Sequence, residues 1–487
     1  MNHSFKNIES SPGTKPLTLF MPGWAFDGRM LRLLDPVPSW IYPENMLDPE
    51  TIEQDLLYFL ETKGLRKVRL VGWSMGAMLA LKFAARHSEL INSLVLVSLR
   101  TSWPETEIDA IRTEFSQAPA SFLKGFYRKC FLGHKQTYTN FRANLEPFYL
   151  AEAEKNIAGL QRGLDYLSTF KVPEPLPQVP IQLIHGKQDI VAPPEDMPIL
   201  PGADIEIIDN AGHAPFLHEN CSLQHELRKQ VIQQKFSRAA DSYDSYAKIQ
   251  AEVSRRLAAK LPEKTEKNNI KTILEIGCGT GNFTALLAAG FPEAKIVALD
   301  FSPEMITIAR LKLNRPAIEF ICAEGELFLQ TVGEKSYDLV VSNGSLQWFS
   351  DMDRTLYNIA RILVPGGAMS CSIFGPQSLK ELGEGLSAIQ TLKETLAART
   401  FPGQEELWVA LQNNFQESEF AEELIEKDYR SAKDLLMHIK KTGTAGWKHK
   451  FQHPLTPSRI NQLDEWFIKT YGSCRVTYQI FFLQGRK

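Results

Sequence analysis

Val68-Arg69-Leu70-Val71-Gly72-Trp73-Ser74-Met75-Gly76 carries an apolar, strand-like run into G-x-S-x-G, and Met75 to Arg86 continues with helical spacing. Glycines on either side of the serine let the chain turn sharply between the two elements. That predicts Ser74 at the top of a parallel sheet, beside the positive end of the following helix, where a nucleophile is exposed to an incoming carbonyl. A serine that merely caps the helix is the plain alternative. Around this turn, PLTLFMPG, INSLVLVSL and IQLIHGKQD are short runs rich in Val, Ile and Leu, as in a sheet buried on both faces.

Asp189, in HGKQD, and His213, in NAGHAPF, follow strands in turn and complete the chain order Ser, Asp, His. A carboxylate that orients an imidazole, and an imidazole that takes the serine proton, predict attack on an ester carbonyl. His218 is the local competitor and is expected to be exposed. The oxyanion donors fall to the backbone N–H of Met75 and a second one at Gly23-Trp24, in Met21-Pro22-Gly23-Trp24. From about Trp103 to Phe170 the pattern becomes helix after helix, dense in Phe and Tyr, which predicts a cap. Phe126 and Phe148 are its candidate substrate-facing rings, and Arg142 and Arg162, with Lys124, Arg128 and Lys129, are candidate cations for an acidic partner. A solvated helix face is the plain reading of those charges.

The Gly-Trp turn, GWSMG, HGKQD and AGHAPF together resemble the pimeloyl-[acyl-carrier protein] methyl ester esterases of biotin synthesis, over about residues 16 to 230. The resemblance implies an α/β-hydrolase fold, a Ser74, Asp189 and His213 triad, and Trp24 and Met75 as oxyanion donors. Pro22 stands where that family usually has His.

The second half changes motif. Ile273-Leu274-Glu275-Ile276-Gly277-Cys278-Gly279-Thr280-Gly281 is a strand running into E-x-G-x-G-x-G. Glycines let backbone pass close under a ligand, and Glu275 suits the cationic amino-acid end of S-adenosylmethionine. A nicotinamide site would need glycine where Asn282 stands. Asp300 ends the next strand, where ribose hydroxyls lie in either cofactor class. Glu324 follows the third strand as a candidate for the adenine amino group, against a solvated loop as the bland reading, and Asn343 follows the fourth and is expected to point into the donor pocket.

FSRAADSYDSYAKIQ, ILEIGCGTG, SNGSLQWF, LVPGG, IFGPQSLKEL and SAKDLLMHIKKTG resemble malonyl-[acyl-carrier protein] O-methyltransferases over about residues 234 to 487. That implies a Rossmann-like class I methyltransferase fold, S-adenosylmethionine as co-substrate, and Glu275, Gly277, Gly279, Gly281, Asp300, Glu324 and Asn343 as its holders. Tyr243 would close over the methyl acceptor, though a tyrosine in an amphipathic helix is as often core. No obvious catalytic base is seen, and methyl transfer to a carboxylate needs none.

The expected division is therefore 1–232, hydrolase, and 233–487, methyltransferase, with no flexible linker and a stiff junction near 230–235. At 487 residues, 44% hydrophobic and 23% charged, the chain is long enough for two such α/β cores. A net charge of -3 excludes a global field for nucleic acid or anionic membrane, and no run approaches the length of a membrane span. Six scattered cysteines without zinc spacing read as reduced thiols, and the first sixteen residues lack a signal-peptide pattern, so a cytoplasmic protein without metal is expected. Joined, the two resemblances imply acyl carrier protein as partner, carrying malonyl at one site and methyl-pimeloyl at the other. A secondary-metabolite methyltransferase fused to a generic esterase, and a chain with one half reduced to a carrier-binding scaffold, remain open alternatives.

Overall fold

The computed structural model describes residues 5–6, 17–262, 270–389, 396–444 and 455–487. The N-terminal stretch read above for a signal peptide falls largely outside them. The chain divides into two units, Met1–Leu227 and Arg228–Lys487. The division falls inside one helix, Ser222–Tyr246, ahead of the boundary expected from sequence.

In the first unit β1 (Thr18–Met21), β2 (Val68–Trp73), β3 (Ile91–Val97), β4 (Ile181–Gly186) and β5 (Asp204–Ile208) form one sheet in that order, every neighbouring pair parallel. Leu70, Val71 and Trp73 of β2 are all buried, as a strand covered on both faces requires. Between β3 and β4 run the helices Glu105–Gln117, Pro119–Cys130, Lys135–Asn144, Glu146–Lys155 and Ile157–Thr169. Proline at the first position starts the second of these, where the missing N–H costs nothing. Part of the cap's aromatic content is core: Phe115, Tyr127, Phe141 and Tyr149 are fully buried, the last three against Phe26.

In the second unit β6 (Thr272–Ile276), β7 (Lys295–Asp300), β8 (Ile318–Cys322), β9 (Tyr337–Asn343) and β10 (Leu363–Phe374) are joined by β11 (Glu417–Tyr429) and β12 (Cys474–Arg486), in the spatial order β8-β7-β6-β9-β10-β12-β11. The first five are parallel, and β12 runs antiparallel to both β10 and β11. The strand order reverses between β6 and β9. Such a reversal opens a crevice at the carboxyl ends of the strands, where ligands bind in sheets of this kind. Among the described residues no helix is long and apolar enough to cross a membrane. All six cysteines are unpaired.

Candidate active sites

In the first unit β2 runs into Ser74, which has φ 56° and ψ −119°, a conformation that residues with a side chain rarely adopt. The flanking glycines are there for closeness. A Cβ on Gly72 would lie 2.5 Å from the Gly76 carbonyl oxygen, and one on Gly76 would lie 2.1 Å from that of Met21. The Ser74 hydroxyl lies 2.9 Å from His213 Nε2, and His213 Nδ1 lies 2.8 Å from Asp189 Oδ2. The other carboxylate oxygen accepts the backbone N–H groups of Val191 and Ala192, both at 2.9 Å. Burial would raise the Asp189 carboxyl, but the His213 ring, the Ala192 N–H and the nearby His185 outweigh it and hold it below the usual carboxylate range. It stays an anion that can orient the imidazole.

The backbone N–H groups of Met75 and Trp24 have no hydrogen-bond acceptor among the described residues, as an oxyanion site requires. Trp24 is fixed by its own indole, which donates to the Leu160 carbonyl at 2.8 Å, and its ring meets Phe126 edge-on at 5.3 Å. Phe126 thus stands over the turn, half-buried. Phe148 has a different setting: its ring carries the Arg29 guanidinium 3.7 Å above its face. Of the candidate cap cations, Lys124, Arg128, Lys129 and Arg142 are exposed. Arg162 is not available in the same way. It is paired with Asp48, and Glu50 lies 3.5 Å away, because the helix that bears it faces the acidic turn after residue 47. His218 is half-buried rather than exposed, its ring 5.9 Å from that of His134.

Three residues that motif reading passed over hold this group together. The Trp73 indole donates to the His213 carbonyl at 2.5 Å, and the Ser98 hydroxyl donates to the same oxygen at 3.0 Å. His185 lies beneath, its Nε2 2.7 Å from the Ala192 carbonyl and 3.5 Å from Asp189, and burial lowers its pKa.

In the second unit the glycine loop after β6 forms one wall of a cavity that also takes in Asp300, Glu324, Asn343 and Tyr243. Gly279, at φ +55°, presents its missing side chain to open space: a Cβ there would meet only Tyr243 Cε1, at 4.0 Å. The loop is tied to β7 by the Gly279 N–H, which donates to Asp300 Oδ2 at 2.9 Å, while Oδ1 accepts from Ser302 N–H. Burial still pushes the Asp300 carboxyl up to about 6 against these two bonds. Asn343 donates to the Gln250 carbonyl at 3.3 Å and accepts from the Ser372 hydroxyl at 2.9 Å.

Two expectations for this loop need correction, and Glu324, which follows β8, has partners of its own. Ile276 lines the cavity, so the period of two along β6 turns Glu275 the other way. Glu275 is 1% exposed, neither carboxylate oxygen has a hydrogen-bond partner among the described residues, and burial lifts its pKa to about 8, opposed by the neighbouring Thr284 hydroxyl. Gly281 does not face the cavity either: a Cβ there would lie 3.1 Å from Leu313 Cδ1 and 3.4 Å from Ala309, so it lets two helices pack closely. Glu324 does line the cavity, but its carboxylate caps the helix Gly325–Thr331 through Leu327 N–H and pairs with Lys229 at 2.9 Å.

Lys229, Ile232, Phe236 and Tyr243 reach the cavity from one face of the helix. Their spacing of three, four and seven is a helical stripe, and reading that period would have located the first three. Tyr243 is half-buried, and burial raises its hydroxyl pKa. It also lines a second chamber, with Gln250, Gln347, Trp348, Ser378 and His438 among its walls. Among the described residues no group of His, Cys, Asp and Glu is arranged to hold a metal. A glycine cradle open at Gly279, with the Asp300 carboxylate on the wall beyond it and Glu324 already paired with Lys229, suits a ligand that carries ribose hydroxyls.

Residues 48–219 match the family described as alpha/beta hydrolase fold, and residues 274–371 match the family described as methyltransferase domain. The malonyl-[acyl-carrier protein] O-methyltransferase of Acetivibrio thermocellus is 32% identical over 272 residues, covering 53% of this chain and 94% of that protein. The protein of the same name from Brevibacillus brevis is 31% identical over 273 residues, covering 53% and 96%. Among solved structures, a thermophilic esterase from Thermogutta terrifontis aligns with a TM-score of 0.39 at 18% identity, covering 47% of this chain and 92% of the esterase chain. An α/β-hydrolase unit leads the chain, and through the half that follows it the chain belongs to the malonyl-[acyl-carrier protein] O-methyltransferase family.

Proposed function

We propose that the chain performs both the opening and the closing chemistry of a carrier-bound masking cycle in biotin synthesis. The second unit methylates the free carboxylate of malonyl-[acyl-carrier protein] with S-adenosylmethionine. The first hydrolyses the methyl ester of pimeloyl-[acyl-carrier protein], releasing methanol. What carries the reading is the presence of an assembled Ser74–His213–Asp189 relay in the same chain as a member of a carboxyl-methylating family.

For hydrolysis, the Ser74 oxygen attacks the ester carbonyl as His213 Nε2 takes its proton. Met75 and Trp24 N–H donate to the oxyanion, His213 returns the proton to the departing methoxide, and a water activated by the same imidazole frees the acyl group from Ser74. Asp189 keeps Nδ1 protonated throughout. For methylation, Gly277, Gly279, Asp300 and Asn343 would hold S-adenosylmethionine, which supplies the methyl group when bound. A carboxylate oxygen bonds to that methyl as the carbon–sulfur bond breaks with its electron pair on sulfur. No proton moves, so the work of the chain is approach geometry. Tyr243, at the wall shared by cavity and chamber, covers the line of transfer.

The test is to supply the purified chain separately with malonyl-[acyl-carrier protein] plus S-adenosylmethionine and with the methyl ester of pimeloyl-[acyl-carrier protein], reading methyl ester and methanol. Turnover of both is expected. Activity only on free small acids and esters would replace this reading with a generic one.

A further inference from the structure

Beside the methyl-donor cavity lies a second chamber, and Phe236, Tyr243, Gly344 and Trp348 line both. Anything that passes from one space to the other passes these side chains. Trp348 is held rigidly there, its ring meeting Phe401 edge-on at 4.9 Å and Phe236 at 6.2 Å. Its indole N–H is buried and has no acceptor among the described residues. A buried donor left unpaired is a standing cost to the fold, and one carried by a ring that lines a ligand space is a group whose acceptor a ligand can supply. Next to it, the Gln347 amide donates one of its two N–H groups to the Gly344 carbonyl at 2.8 Å, which fixes that side chain against the backbone.

The rest of the chamber is unusual for a space meant to receive an anion. Among the described residues no lysine, arginine, aspartate or glutamate lines it. The one histidine among its described walls, His438, packs edge-on against Tyr429 and is neutral, burial lowering its pKa to about 4. Ser378 is already committed to the Gln479 backbone. The Trp348 N–H and the Tyr243 hydroxyl are what the described wall at the junction offers to a carboxylate.

Resting on the methyl-transfer reading above, we propose that Trp348 holds the acceptor carboxylate, its indole N–H donating to one oxygen while the other oxygen faces the methyl group. Among the described residues no cation of the wall faces this anion, and the charge that balances it is the sulfonium of the methyl donor. Two opposite charges in a nearly apolar space become a neutral ester and a neutral thioether on transfer. Surroundings that solvate ions poorly favour that loss of charge. Binding is consequently ordered, with the methyl donor first, because the acceptor anion entering alone would be buried without a counter-charge.

The experiment has two arms. In the first, Trp348→Phe, which keeps a ring and removes the N–H, is compared with the wild-type chain for kcat and KM toward malonyl-[acyl-carrier protein], while calorimetry reads the affinity for sinefungin, a cationic analogue of the methyl donor. A loss of about 10- to 100-fold in kcat/KM with unchanged sinefungin affinity is expected. An unchanged kcat/KM, or parallel loss of sinefungin binding, overturns the assignment. In the second arm the wild-type chain is titrated with malonyl-[acyl-carrier protein] after saturation with sinefungin or with S-adenosylhomocysteine, which is neutral at sulfur. At least tenfold tighter binding beside the cation is expected, and equal affinity overturns the charge argument. If the wild-type chain methylates no carrier-linked malonate, the functional reading fails instead, so the two failures are distinct.

Discussion

Trp73 and His213 are joined twice: the indole N–H donates to the His213 carbonyl at 2.5 Å, and the two rings pack with centroids 5.7 Å apart. The residue before the serine therefore aims the histidine that serves the serine. Trp73→Phe is expected to lower kcat for ester hydrolysis by roughly tenfold, about the 1.4 kcal/mol of a positioning hydrogen bond, with little change in KM. A steady-state comparison on one small ester checks it, and a change confined to KM would contradict it.

The two sites draw on different cores. Ser74→Ala should abolish hydrolysis and leave methyl transfer at its wild-type rate, whereas Gly279→Val should fill the open cradle beside Tyr243 and abolish methyl transfer alone. Both activities measured on each variant decide the matter. Loss of both in a folded protein would show that the units are not independent.

The methyltransferase core should weaken as pH rises. Burial lifts the carboxyl of Glu275 from 4.5 to about 8 and that of Asp300 from 3.8 to about 6. The folded state thus binds these protons more tightly than the unfolded chain. Their contribution is fully present below the ordinary carboxylate range and is lost as pH rises through the raised values, a slope given by the difference in protons bound. Glu275→Gln should flatten that slope and raise Tm relative to wild type at about pH 9. Calorimetry of the ligand-free chain at several pH values reads it, and parallel Tm curves would refute the account.

If one chain houses both proposed activities, the esterase must spare malonyl methyl ester. A pimeloyl chain has four more methylenes, and at ~0.8 kcal/mol for each one buried the advantage is about 3 kcal/mol, or on the order of 100-fold in kcat/KM. Phe126, edge-on to Trp24 at 5.3 Å, is the ring placed to supply it. Phe126→Ala should shrink the preference for the longer carrier-linked ester. Values of kcat/KM for the two esters within a few-fold of each other in the wild-type chain would end this explanation.

Charge on the cap gives a paired expectation. Arg142→Glu should slow hydrolysis of carrier-linked ester and spare a small free ester, the more so at low ionic strength. Arg162→Glu should instead lower Tm, since it sets like charge beside Asp48 and Glu50. Equal loss on both ester substrates at Arg142 would count against steering.

What could be read in the linear sequence was whatever the chemistry confines to a short segment. G-x-S-x-G and E-x-G-x-G-x-G each couple a strand, a turn and a helix, and so fixed the place of Ser74 and Gly279 within the fold. Asp189 and His213 were legible from chain order alone. Glu275 was misplaced because a motif names residues without saying which side of the strand they leave by, and Gly281 because close helix packing and close ligand approach both call for glycine. The antiparallel pair β11 and β12 went unread. β11, Glu-Ser-Glu-Phe-Ala-Glu-Glu-Leu-Ile-Glu-Lys-Asp-Tyr, is an edge strand, where charge is tolerated and discourages pairing with other chains, so its composition argues against the strand it forms. Trp73 and Ser98 act through atoms whose partner, the His213 carbonyl, lies far away in the chain, and no local pattern announces them.

The serine at φ 56° has an evolutionary corollary. Glycine would relax that backbone, so Ser74→Gly should stabilise the hydrolase unit by about 1 kcal/mol while removing its nucleophile. A lineage released from the need for hydrolysis would thus meet no folding penalty on the way to losing it, and the change would be favoured on stability grounds alone. Persistence of serine at this turn in descendants of the chain is therefore a sign of continued use, one that a buried core residue of the same unit could never provide.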